Sequence, residues 1–196
     1  MAPAVALTEA PPLVLSGRTP LAAGKFRDTY AHPDDAGLVI KIVRAEAPRS
    51  RSEQDANTRE FDFHTRVPPH PAFPKPVGSV KTDLGDGLVA KRIAMPPPFG
   101  SKAGFGEAVT AGMIDGPKFL AQISELAELL IDAGVYSACL SPENVAVIDG
   151  RIVSFDTKVI ENKTLIDLDR VPPLRRMRLR RRYQRRLARY REVLGS

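Results

Sequence analysis

Leu140-Ser141-Pro142-Glu143-Asn144-Val145, followed after a short interval by Phe155-Asp156-Thr157-Lys158, is the stretch on which the reading of this chain turns. Between the two blocks lie Val145 to Ile148 and Ile152 to Phe155, apolar and β-branched runs joined by Asp149-Gly150. That dipeptide is a strong signal for a two-residue hairpin turn, because both central positions must accept a positive φ. A tight hairpin returns the chain on itself. Asn144 and Asp156, twelve positions apart in sequence, therefore converge at its open end. Taken alone, the pair also fits a simpler account in which Asn144 stabilises a turn and Asp156 caps a loop.

The pattern resembles the catalytic loop of protein kinases, in which an asparagine and a later aspartate supply oxygen ligands to the metal ions that bridge the nucleotide phosphates. The resemblance implies ATP as ligand, with magnesium held by Asn144 and Asp156. Magnesium is a hard cation that takes oxygen ligands, so both groups have to meet at one point. Upstream, Leu38-Val39-Ile40-Lys41-Ile42-Val43 is an apolar, β-branched run with the length of a central strand and one lysine in its middle. Lys41 is similar to the kinase lysine that holds the α- and β-phosphates, and Glu60, in the next helix, to its ion-pair partner. A buried lysine needs such a partner; a snorkelling lysine on an edge strand does not. Gly24, in Gly24-Lys25-Phe26-Arg27, falls where the glycine-rich loop belongs, although Ala22 and Arg27 replace the flanking glycines.

At finer grain the chain resembles the bacterial YrbL family, named for the PhoP regulatory network, from about Leu13 to about Arg182. The residues that carry this likeness are Pro20 to Gly24, Tyr30-Ala31-His32-Pro33-Asp34-Asp35, Ile40 to Val43, Arg59-Glu60, Val80-Lys81-Thr82-Asp83, Leu140 to Asn144 and Thr164-Leu165-Ile166. It implies an α+β, compact two-lobed protein-kinase-like fold. The expected order is a disordered start over 1–12, an N-lobe of antiparallel sheet plus one helix over 13–93, and a Pro/Gly-rich linker over 94–116. A short, mainly helical C-lobe with a β-hairpin follows over 117–170, then an arginine-rich amphipathic helix over 171–196. One helix is expected within Arg49 to Arg66, with Ser52 and Asp55 as candidate caps and Val67-Pro68-Pro69 as its stop. Another runs through Phe119, Ile123, Leu126 and Leu130 to Ala133-Gly134.

Two departures bear on activity. The aspartate that serves kinases as catalytic base, five residues before the asparagine, is here Cys139, and the loop lysine is Ser141. The sequence assigns Cys139 no catalytic role, since a lone cysteine beside Leu140 reads as a buried apolar residue. Two functions follow from the resemblance: an atypical phosphotransferase, or a pseudokinase that acts as a regulatory module.

Composition frames these readings. The 196 residues, 43% hydrophobic and 27% charged, suit an ordinary globular protein with room for a core. A single cysteine excludes an internal disulfide framework and suits a reducing compartment, and no run approaches the roughly 20 apolar residues that span a bilayer. The expected location is the cytoplasm. The three histidines show no metal-site spacing. Charge is uneven: ten arginines fall between Arg175 and Arg191 with no acid among them, and removing them from the formal +6 leaves −4. Tyr183, Leu187, Tyr190 and Leu194 form one apolar stripe of that helix. The stripe packs on the C-lobe, with anion binding by the helix in addition, or the helix instead serves a polyanion, RNA or membrane, with the tyrosines stacking or sitting at an interface.

Overall fold

The computed structural model describes residues 11–47, 55–94, 96, 98, 99, 101–160 and 171–195. The expected disordered start over 1–12 lies mostly outside these residues, and Ser52 and Thr164-Leu165-Ile166 lie wholly outside them. The chain is α+β and divides into two compact units, one formed by Met1–Pro48 and Pro76–Arg92, the other by Arg49–Lys75 and Ile93–Ser196.

The first unit is a five-stranded antiparallel sheet in the order β1-β2-β3-β5-β4, built from β1 (Ala22–Ala23), β2 (Arg27–Ala31), β3 (Leu38–Val43), β4 (Gly78–Thr82) and β5 (Gly85–Lys91). Alternation along β3 sends Ile40 and Ile42 to one face, where they pack with Leu15 and Tyr30, while Val39 joins Leu88 and Ala90 on the other. Lys41 lies between Thr29 of β2 and Leu88 of β5. It therefore sits on an inner strand, which removes the edge-strand account of this lysine. Leu13 to Leu15, expected as a strand, makes an isolated bridge from Leu13 to Thr82 and is otherwise pinned by bonds from far along the chain: the Leu13 amide donates to the Lys81 carbonyl at 2.9 Å, and the Leu15 amide donates to the Asp83 carboxylate at 2.7 Å.

The second unit holds α1 (Ala56–Arg66), α2 (Lys102–Thr110), α3 (Gly116–Asp132), the hairpin β6 (Val145–Ile148) and β7 (Arg151–Ser154), and α4 (Pro172–Leu194). Asp55 caps α1 by accepting from the Thr58 amide at 2.8 Å. Helix α1 was expected within the N-lobe, but it groups with the helical unit because its Phe63 belongs to that unit's core. The expected linker over 94–116 contains α2. Ser101 caps this helix, Phe105 and Ala108 are buried, and Gly104, which reads as a breaker, is a packing requirement, since a Cβ there would fall 1.7 Å from the Pro98 carbonyl oxygen. Helix α3 ends at Asp132 with Ala133 as its cap, and Gly134 just beyond it takes φ of 65°, as the Ala133-Gly134 stop predicts. The β6–β7 turn places Asp149 and Gly150 at φ of 51° and 70°, the paired left-handed conformation that the dipeptide predicts. Strand β7 starts and ends one residue earlier than its sequence suggested.

Helix α4 buries Leu179, Tyr183 and Tyr190 in the same core as α3 and the hairpin. The tyrosines therefore pack rather than stack on a partner. Tyr190 meets Phe105 and Phe119 edge-on, with ring centroids 5.0 Å away in each case. The Tyr183 hydroxyl donates to the Val135 carbonyl at 3.0 Å and accepts from the Ser137 amide at 3.1 Å, while the Tyr190 hydroxyl donates to the Leu140 carbonyl at 2.9 Å. Tyr183→Phe strands two buried backbone groups and Tyr190→Phe one. The expected losses in urea unfolding are about 2–3 kcal/mol and about 1 kcal/mol respectively; equal losses would contradict this arrangement.

Candidate functional site

Hairpin closure assembles the site. Register pairs Val145 with Ser154, and the Phe155 amide then donates to the Asn144 carbonyl at 3.2 Å. Asn144, the last residue of the single 3-10 turn Pro142–Asn144, and Asp156 are thus held at the open end of one ladder. The Asn144 side-chain nitrogen donates to the Ala138 carbonyl at 3.0 Å. That bond fixes the amide and leaves its oxygen as the group with ligand character. Asp156 contributes a carboxylate about a quarter exposed. Both offer hard oxygen donors, the chemistry magnesium takes, and one or two protein ligands are what it uses when phosphates and water complete its shell. The residues present fit the ion. Among the described residues no cluster of three or more His, Cys, Asp or Glu has metal-binding geometry.

Lys158 is part of this site and was not assigned a role from sequence. Its ammonium ion-pairs with Asp156 Oδ2, and the residue is buried. Its signal in the sequence was an acid and a lysine two residues apart in Asp156-Thr157-Lys158. The backbone around Lys158 is locked on both sides. The Ser137 hydroxyl donates to its carbonyl at 2.8 Å, and the Val159 amide donates to the Arg59 carbonyl of α1 at 3.1 Å. Thr157 is hydrogen-bonded to His64 at 3.1 Å. His32 and His70 each accept a nearby backbone amide at 3.2 Å through Nδ1, local turn roles that account for both. One oxygen of Glu143, Oε2, is buried without a hydrogen-bond partner among the described residues.

Of the residues singled out from sequence, Asn144 and Asp156 come together as described. Glu60 is 2% exposed on α1 of the same unit. Gly24 and Lys41 belong to the sheet unit. Gly24 closes the β1–β2 turn, its amide donating to the Arg27 carbonyl at 2.9 Å, and a Cβ on it would meet that oxygen at 3.0 Å. Lys41 is half-buried on β3.

Cys139 stands at the position of the kinase base. It is wholly buried, and burial pushes its thiol up to about 12 from an ordinary 9.0. Its amide donates to the Ser137 hydroxyl at 3.1 Å, and its carbonyl accepts from the Ser154 hydroxyl at 2.8 Å. Neither Cys139 nor Ser137 is placed to take a proton from a substrate. Burial also raises both Tyr183 and Tyr190.

The elements run in the order the kinase resemblance leads one to expect, with one helix more: strands, a strand bearing the lysine, a helix bearing the glutamate, a hairpin, then two helices, a loop and the second hairpin. Residues 13–191 match the family model described as PhoP regulatory network protein YrbL, and the chain belongs to that family. It is 28% identical over 165 residues to the YrbL proteins of Escherichia coli strain K12 and of Shigella flexneri, covering 79% of this chain and 76% of each relative. Among solved structures it is similar to a chain of the CAK complex from Chaetomium thermophilum, described as bound to ATP-gamma-S. The TM-score there is 0.49 at 14% identity, and the likeness covers 74% of this chain and 47% of that one. No helix among the described residues is long and apolar enough to cross a membrane.

The thiol shift fixes a pH dependence. Above pH 9 the unfolded chain releases the Cys139 proton while the folded chain retains it, so stability falls as pH rises toward 12. The expected loss from this group is up to about 1.4 kcal/mol per pH unit. Urea unfolding between pH 8 and about pH 10 checks it: Cys139→Ala flattens the slope, and an unchanged slope would contradict a buried, protonated thiol.

Proposed function

We propose that this chain binds ATP together with magnesium, and that Asn144 and Asp156 hold the metal. The observation that carries the reading is the pair held at the hairpin base by the Phe155–Asn144 backbone bond, a carboxylate and an asparagine whose nitrogen is already bonded, which leaves its oxygen as the group available for a ligand role. Bound magnesium bridges phosphate oxygens and offsets their charge. Asn144 and Asp156 position it, and Lys158 holds the Asp156 carboxylate in place. Gly24, Lys41 and Glu60 take the roles the family resemblance implies, with the glycine turn and the lysine on the phosphates and the glutamate orienting the lysine.

Cys139 favours a second reading within this one, a pseudokinase that binds nucleotide and is read by a protein partner. A buried, protonated thiol at the base position cannot accept the proton of a phosphoacceptor. Phosphoryl transfer relies mainly on positioning and charge, so an atypical phosphotransferase without that base stays chemically coherent. Metal-dependent nucleotide turnover lost in Asp156→Ala selects the transferase, and binding without turnover selects the pseudokinase.

Calorimetric titration of ATP tests binding itself. Wild type is expected to bind in magnesium, with affinity at least tenfold weaker, by about 1.4 kcal/mol or more, without magnesium or in Asp156→Ala, Asn144→Ala or Lys41→Ala. Circular dichroism confirms that each variant folds. No binding by folded wild type would overturn the proposal.

A further inference from the structure

Helix α4 uses its arginines in two different ways. Those turned toward the unit serve the fold: Arg175 donates to the Gly134 carbonyl, Arg186 donates to the Ser137 carbonyl at 2.8 Å, and Arg182 lies 4.5 Å from the Tyr136 ring centroid. Arg176 and Arg180 at the flank pair with Asp132 and Glu128, at 2.7 and 2.8 Å. Arg181, Arg185 and Arg189 are exposed and have no ion pair or hydrogen bond among the described residues. Four residues apart, they form one ridge about 12 Å long, opposite the buried Leu179, Tyr183 and Tyr190.

That ridge works against the helix. Like charges at i,i+4 repel, and no acidic side chain pairs with them among the described residues. An external anion relieves that repulsion. Guanidinium groups bind phosphate through two parallel hydrogen bonds, so the matching partner is a row of phosphates.

We propose that the Arg181–Arg185–Arg189 ridge binds the backbone of double-stranded nucleic acid without reading its sequence. Two features select this polyanion. A helix lying in a membrane surface inserts a continuous apolar face; the main apolar stripe of α4 is in the core, and the large apolar residues it leaves exposed, Leu174, Met177 and Val193, are scattered along the helix rather than gathered into one. A single-strand site needs aromatic platforms, and Tyr183 and Tyr190 are each 1% exposed. A duplex presents a charge every 1.7 Å or so along its axis, so about seven phosphates lie within the length of the ridge, more than enough for three arginines.

Fluorescence anisotropy of a labelled 20-base-pair DNA duplex, read from about 50 to 200 mM salt, tests the proposal with the full chain. Three neutralised phosphates give a slope of about −2.7 in log affinity against log salt, a loss of about 40-fold over that range. The triple variant Arg181→Gln, Arg185→Gln, Arg189→Gln is expected to abolish binding, and the pair Arg176→Gln, Arg180→Gln to retain it. The proposal falls if wild type does not bind the duplex, if the triple variant binds as wild type does, or if the flanking pair loses as much. Tighter binding to the single strand, or to vesicles containing phosphatidylserine, would overturn it equally.

Discussion

The loop over residues 135–140 is buried, and its backbone polar groups have to find partners inside the protein. Helix α4 supplies them. The hydroxyls of Tyr183 and Tyr190 and the guanidinium of Arg186 take the carbonyls of Val135, Ser137 and Leu140 and the amide of Ser137. The same loop offers the Ala138 carbonyl that orients Asn144 and the Ser137 hydroxyl that anchors Lys158. The C-terminal helix therefore reaches the candidate site through one chain of hydrogen bonds, although the site's own residues lie far from it in sequence.

This arrangement explains why one helix carries both apolar and strongly basic character. The stripe of Leu179, Tyr183 and Tyr190 completes a core shared with Phe105, Phe119 and the β6–β7 hairpin. A short helical unit without α4 would leave those side chains in water, at roughly 1.5–3 kcal/mol for each large one. Lys158 illustrates the same economy at the site, where an ammonium buried beside a carboxylate is tolerable because each offsets the other's desolvation.

Much of this was legible in the sequence, because the signals were local. The Asp149-Gly150 turn, the β-branched run around Lys41, the Asp55 cap and the Gly134 stop each follow from the conformations those residues adopt. Asn144 and Asp156 were legible because a two-residue turn fixes where the chain returns. What was missed depends on tertiary contact. The Pro- and Gly-rich look of 94–116 hid α2, whose Gly104 exists to let the Pro98 carbonyl approach. The grouping of α1 with the helical unit rests on where Phe63 packs. Packing of the α4 stripe was legible from its periodicity, but no periodicity reveals that its tyrosine hydroxyls donate to a buried loop. Lys158 lay in plain view beside Asp156, but an i,i+2 pair gains meaning only once the fold is seen to bring the two side chains together.

The most direct test of a metal–nucleotide site at the hairpin base is paramagnetic broadening in nitrogen-15 spectra, with manganese and ATP added to labelled protein. The account predicts that the Asn144 side-chain amide and the backbone amides of Phe155 to Lys158 broaden first, and that excess magnesium restores them. Broadening that leaves these signals sharp while others fade would contradict it.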